Sequence, residues 1–108
     1  MKRGDLVSIA AQGDFGKPRP ALVIQSDLFD AHPSVTVLPL TSDLRNAPLF
    51  RVQVLPTANN GLSKPSEVMV DKLVTFPRSK VGDSFGHIEA TTLLEVERCL
   101  ALFLGIAE

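Results

Sequence analysis

Apolar residues recur at helical spacing in one stretch of this chain, at its end, where Leu93, Val96, Leu100, Phe103 and Leu104 share a face. Thr92 followed by Glu95 has the form of a capping box, which sets the expected start, and Gly105 suits the position just past the last turn. Everything before this helix is cut into short runs. Asp5–Ala10 is apolar on both faces, as a strand inside a covered sheet would be. Further strand patterns fall at 21–25, 35–40, 50–55, 67–70 and 73–76, with a last short one near 85–88. Gly13, Gly16, Pro18 and Pro20 break the chain between the first two, and 56–61 is a turn between the fourth and fifth. Ser26 opens a segment that can form one helical turn before Pro33. The expected fold is therefore mainly β, six or seven short strands covered by one C-terminal helix, in a single domain over residues 1–108.

Composition narrows what such a domain can do. The net charge is −1, so contact with nucleic acid has to come from a local patch and not from a global basic field. A single cysteine, Cys99, excludes an internal disulfide and a multi-cysteine zinc site. No run approaches the roughly 18 apolar residues of a membrane span. The opening Met-Lys-Arg-Gly-Asp passes straight into strand pattern without an apolar export segment, so the expected location is the cytoplasm, with no membrane contact. Trp and Tyr are absent and six Phe remain, a poor stock for stacking single-stranded bases.

Few residues carry obvious chemistry. There is no phosphate-binding glycine loop and no dinucleotide fingerprint. His32 and His87 stand far apart without the spacing of a metal pair, and serve more naturally as surface residues or loop anchors. Arg19 lies between Pro18 and Pro20, which stiffen the backbone on either side. A guanidinium held there suits two phosphate oxygens, although from composition alone pairing with a carboxylate at the sheet rim is the more ordinary use. Thr41 and Ser42 follow a strand and precede Asp43, a setting that fits turn capping as well as catalysis. Asp71 and Lys72 read as a charged turn or as part of a site.

In order along the chain, these pieces resemble the MazF/PemK family of toxin endoribonucleases. Gly4-Asp5-Leu6-Val7 resembles the family's opening strand, and Gly16-Lys17-Pro18-Arg19-Pro20-Ala21-Leu22-Val23-Ile24 its Arg-Pro entry into the second. Val35-Thr36-Val37-Leu38-Pro39-Leu40-Thr41-Ser42 resembles the strand that ends in the family's threonine. Gly61-Leu62, Ser66, Val68, Asp71-Lys72, Thr75 and Leu104-Gly105-Ile106 match later landmarks. The resemblance implies a small SH3-like barrel with a C-terminal helix, a homodimer, cleavage of single-stranded RNA, and inhibition by a cognate antitoxin protein. It implies Arg19, Thr41 and Asp71 as catalytic residues, with Met69 where some relatives carry an arginine. Lys17, Ser42, Gln12, Asp14 and Phe15 are the expected RNA contacts. Lys17, Arg19, Arg78 and Lys80 would form the positive patch that meets the antitoxin's acidic tail. The roles implied for Arg19, on the phosphate, and Thr41, on the 2′-hydroxyl, call for no metal or other cofactor, and the implied products are a 2′,3′-cyclic phosphate and a 5′-hydroxyl.

A second resemblance, to the DNA gyrase poison CcdB, rests on Gln25-Ser26-Asp27, Pro39-Leu40 and the ending Phe103-Leu104-Gly105-Ile106. CcdB lacks the Arg-Pro pair and the threonine present here at Arg19-Pro20 and Thr41, and it has a tryptophan in its tail where this chain has Leu104.

Overall fold

Strand β1 (Asp5–Ala10) runs antiparallel to β2 (Pro18–Val23), with Leu6 opposite Leu22 and Ala10 opposite Pro18. Beyond them come β3 (Ser34–Thr41), β4 (Arg51–Val54), β5 (Ser66–Met69), β6 (Val74–Pro77), β7 (Val81–His87) and the helix α1 (Ala90–Phe103). The computed structural model describes residues 1–10 and 17–107, and among these the seven strands form one antiparallel sheet in the order β4-β5-β3-β2-β1-β7. The central strand is β3. It takes β2 along one edge, while β6 (opposite Ser34 to Val37) and β5 (opposite Leu40 and Thr41) run in succession along the other. The short 3-10 turn Val70–Lys72 separates β5 from β6.

The alternation along β1, β2 and β3 divides two cores between the two faces of the sheet. Leu6, Leu22, Leu38 and Leu40 point to one side, where they meet Val52, Val68 and, from α1, Val96 and Cys99. Val7, Ile9, Ala21, Val23, Val35 and Val37 point to the other, under Val74, Phe76 and Val81. A strand buried on both faces must be apolar at consecutive positions, which is why Asp5–Ala10 lacks a polar face. Each Leu or Val withdrawn completely from water here contributes about 1.5–3 kcal/mol.

Three expectations need correction. First, the sheet is not a closed barrel: among the described residues no ladder joins β4 to β7. The β1–β7 pairing is interrupted by register shifts, and β4, paired with β5 alone, is otherwise packed against α1. Second, β2 begins at Pro18, inside the stretch that reads as a loop. Pairing with β3 covers only Ala21 to Val23, so the prolines lie where β2 has a free edge and a missing N–H costs no ladder bond. Third, α1 starts two residues before the Thr92–Glu95 box, and its N-cap residue, Glu89, makes no side-chain capping bond.

The Glu89 carboxylate is directed to the turn after β4. It accepts from Thr57 Oγ1 (2.8 Å) and from Asn60 Nδ2 (3.1 Å). Asn60 is wholly buried. Its Oδ1 accepts the N–H groups of Thr57 and Leu62, each at 3.0 Å, and its Nδ2 also donates to the Leu55 carbonyl at 2.9 Å. At the other end of the helix Gly105 takes a φ of +75°, and the Ile106 N–H closes onto the Ala101 carbonyl at 2.8 Å, a Schellman ending.

Candidate active site

The register of β2 against β3 brings Arg19 and Thr41 together. Ala21 lies opposite Pro39, Leu22 opposite Leu38 and Val23 opposite Val37. Two residues further the same register sets Arg19 across from Thr41, at the point where the two strands have parted. Arg19 also lies opposite Ile9 of β1. Opposed residues of an antiparallel pair share a face, so Arg19 and Thr41 stand on the Ile9 side of the sheet. Between them lies a groove of about 360 Å³ lined by Ile9, Arg19, Thr41, Ser42, Asp43 and Met69, among others. Arg19 and Ser42 are exposed, and Thr41 is half-buried.

The Thr41 hydroxyl is held. The Asp43 N–H donates to its Oγ1 at 3.0 Å, which leaves the hydroxyl one lone pair and its own proton for a ligand in the groove. Asp43 is itself tied from below, because Arg51 Nη1 donates to its carbonyl at 3.2 Å. The same Nη1 reaches Glu67 Oε1 at 3.2 Å, an ion pair whose side chains are 8% and 1% exposed. Glu67 accepts two more bonds from the segment that follows Thr41: the Arg45 N–H at 3.0 Å and the Asn46 N–H at 3.1 Å. Asn46 takes a left-handed φ of 54° there. The Arg45 N–H, against the opposing effect of burial and with the further help of Asn46 and Arg51, holds the Glu67 carboxyl below its usual range.

The expected site residues divide. Arg19, Thr41 and Ser42 share the groove, and Met69, the position at which the resemblance implies an arginine in some relatives, lines it too. Lys17 is exposed just before β2 and does not line the groove. Gln12, Asp14 and Phe15 lie outside the described residues. Asp71 does not line the groove either. It sits on the turn between β5 and β6, 3.6 Å from Lys72 Nζ, and after burial its charge is the second cause that pushes the Cys99 thiol up. Arg78 and Lys80 occupy the short turn before β7, where Arg78 Nε donates to the His32 carbonyl at 2.9 Å. The histidines act as anchors in separate places. His32 Nδ1 accepts the Ser34 N–H at 3.1 Å, and His87 Nδ1 lies 2.9 Å from Asp5 Oδ1.

Glu67 and Arg51 were not legible as part of a site. Arg51 alternates with Val52 and Val54 as a solvent-facing strand residue does, and Glu67 opens what reads as an ordinary short strand. Nothing in their spacing announces that one covers the other.

The structure is an open antiparallel sheet with one C-terminal helix, carrying an arginine and an oriented hydroxyl on one groove. The profile of the PemK-like, MazF-like toxins of type II toxin-antitoxin systems matches residues 2–104. The chain belongs to that family. It is 47% identical to the "Probable endoribonuclease MazF" of Mycolicibacterium smegmatis over 99% of both chains. Among solved structures, the "Mycobacterium tuberculosis toxin MazF-mt6" superposes with a TM-score of 0.78 at 27% identity, covering 95% of this chain and 99% of that one. A MazE-MazF structure from Deinococcus radiodurans gives a TM-score of 0.78 at 25% identity, covering 99% and 97%. These matches favour the MazF resemblance over the one to CcdB, and the gyrase alternative is set aside.

Proposed function

We propose that this toxin is an endoribonuclease that cuts single-stranded RNA in the Arg19–Thr41 groove, without a metal or other cofactor, by making the RNA's own 2′-hydroxyl the nucleophile. The observation that carries this reading is the convergence of the two residues from neighbouring strand ends on one groove. As the 2′-oxygen bonds to phosphorus, the bond from phosphorus to the 5′-oxygen breaks. The 2′ proton leaves through a hydrogen-bonded network and a proton reaches the departing 5′-oxygen. The products are a 2′,3′-cyclic phosphate and a 5′-hydroxyl.

Arg19 fits the phosphate. Its planar fork matches two non-bridging oxygens, and its charge is most valuable when the pentacoordinate phosphorus carries its extra negative charge. Thr41 is too weak a base to take the proton by itself. With one lone pair occupied by the Asp43 N–H, it can accept the 2′-hydroxyl proton on the other and donate its own to a phosphate oxygen or water. Ser42 and Lys17 supply further polar contact to the strand, and Gln12, Asp14 and Phe15, which lie outside the described residues, are the remaining candidate RNA contacts. Asp71 stands outside the groove, so no step is assigned to it.

The same reading covers the partners. The protein acts in the cytoplasm as a homodimer silenced by a cognate antitoxin. The relative from Deinococcus, in a structure with MazE, supports the antitoxin. The dimer is supported by apolar surface on α1, where Leu94, Leu102 and Phe103 are about half exposed. A long single-stranded RNA incubated with the protein in EDTA tests the chemistry. Discrete cuts that bear 5′-hydroxyls, and that vanish when the nucleotide before the cut is 2′-deoxy, are expected. Loss of cleavage on chelation, or cleavage of the 2′-deoxy substrate, overturns the mechanism.

A further inference from the structure

Burying an arginine–glutamate pair in a small β domain is expensive. Both ions lose their hydration, and apolar residues of similar size often serve stability as well or better. The Arg51–Glu67 pair, at 8% and 1% side-chain exposure, is therefore a poor device for stability alone. Its bonds show where it acts. The β3–β5 register sets Glu67 directly opposite Thr41. The carboxylate takes the Arg45 and Asn46 N–H groups, and Arg51 takes the Asp43 carbonyl, so both ions grip the segment that leaves Thr41. Asp43 in turn donates to the Thr41 hydroxyl oxygen. A threonine at the end of a strand has more than one side-chain rotamer open to it, and a fixed N–H donor at Oγ1 selects one.

We infer that Glu67 and Arg51 are positioning residues for the cleavage reaction: through Asp43 they fix the rotamer of Thr41 and hold one wall of the groove. The inference rests on the reading of that groove as the RNA-cleaving site. Glu67 needs both oxygens, because Oε1 serves Arg45 and Arg51 while Oε2 serves Asn46. Glutamine keeps the shape but turns an N–H₂ toward one of these donors. Lysine at position 51 keeps the charge but does not place its ammonium where the Arg51 Nη1 donates to both Glu67 and Asp43.

The test is a cycle of variants read by kinetics on single-stranded RNA. Glu67→Gln is expected to lower kcat about tenfold while KM changes less than about threefold, since the phosphate is still bound by Arg19. Arg51→Lys is expected to act in the same direction, and stands in if Glu67→Gln does not fold. In a Thr41→Ala background the Glu67→Gln change should lower the residual rate by less than about twofold, because the residue it positions is gone. A tenfold loss in both backgrounds marks a merely structural role and overturns the inference, as does full activity of Glu67→Gln. Amide exchange gives an independent reading. The Asp43, Arg45 and Asn46 amides should lose protection in Glu67→Gln while those of Leu40 and Val68 keep it. Wild-type protein that leaves RNA intact overturns the ribonuclease reading; the grip on the segment is then judged by exchange alone, and unchanged protection overturns it.

Discussion

Glu67 joins a local electrostatic fact to the behaviour of the whole chain in acid. Its carboxyl titrates below the usual glutamate value of 4.5 in the folded protein, first because of the Arg45 N–H. A depressed folded pKa means that the unfolded chain binds protons more readily as the pH falls. The stability this group contributes is complete above 4.5 and is lost as the pH drops through the folded value. Urea unfolding of wild type and Glu67→Gln across the acid range should show the gap between them closing below that point, and a gap independent of pH would contradict the assignment. Removing the side chain altogether strands Arg51. Glu67→Ala should cost about 3–5 kcal/mol, the usual penalty for breaking a buried pair. Asn60 is a neutral counterpart: all of its donor and acceptor capacity is used, and Asn60→Ala, measured in the same way, should cost about 2–4 kcal/mol by orphaning the Thr57 and Leu62 N–H groups and freeing Glu89.

At the scale of elements, the close pass of β7 over the 56–61 turn is the feature most sensitive to a single methyl group. A Cβ on Gly86 would overlap the Asn60 carbonyl, and that carbonyl belongs to a turn pinned by buried hydrogen bonds. Gly86→Ala should therefore destabilise by about 2 kcal/mol or more, read as a fall in thermal midpoint, with the loss spread over β7 and the turn. The same strand explains part of what could not be read from sequence. Val81–His87 has two glycines and mostly exposed side chains, so only its last residues look like a strand, yet pairing with β1 recruits the whole length. Asp5–Ala10 was legible to the residue because Leu6, Val7 and Ile9 are buried on both faces and make the run apolar at nearly consecutive positions. The start of β2 was hidden by prolines that act as breakers in isolation and are tolerated at an edge. Thr92 and Glu95 imitate a helix start, while the true N-cap residue has its carboxylate committed to Thr57 and Asn60. Arg19 and Thr41 stood out through motif and order along the chain, whereas Arg51 and Glu67 did not, because a charged residue alternating with valines looks solvent-facing until another segment covers it.

Across the whole molecule, the two cores have different tasks. One packs the sheet on α1 and fixes the fold, and the other lies on the face that carries the groove. β3 passes through both and ends in Thr41, so the site sits at the seam where β2 and β3 part and β5 takes over the far edge. The apolar surface left on α1 lies on the helix side, away from the Ile9 face, so assembly through the helix is compatible with an accessible groove. Sedimentation should report a dimer, and Leu102→Glu should shift it to monomer while secondary structure is retained. A dimer unaffected by that charge would place the interface elsewhere.

The central claim is that Arg19 and Thr41 together make this groove a ribonuclease. The most direct measurement is kcat/KM on a single-stranded RNA in EDTA for wild type, Arg19→Ala and Thr41→Val, beside their thermal midpoints. Both variants should fall by about 10²-fold or more with midpoints essentially unchanged, since each removes a group facing the developing charge and neither belongs to a core. RNA cut by Arg19→Ala at the wild-type rate would contradict the account.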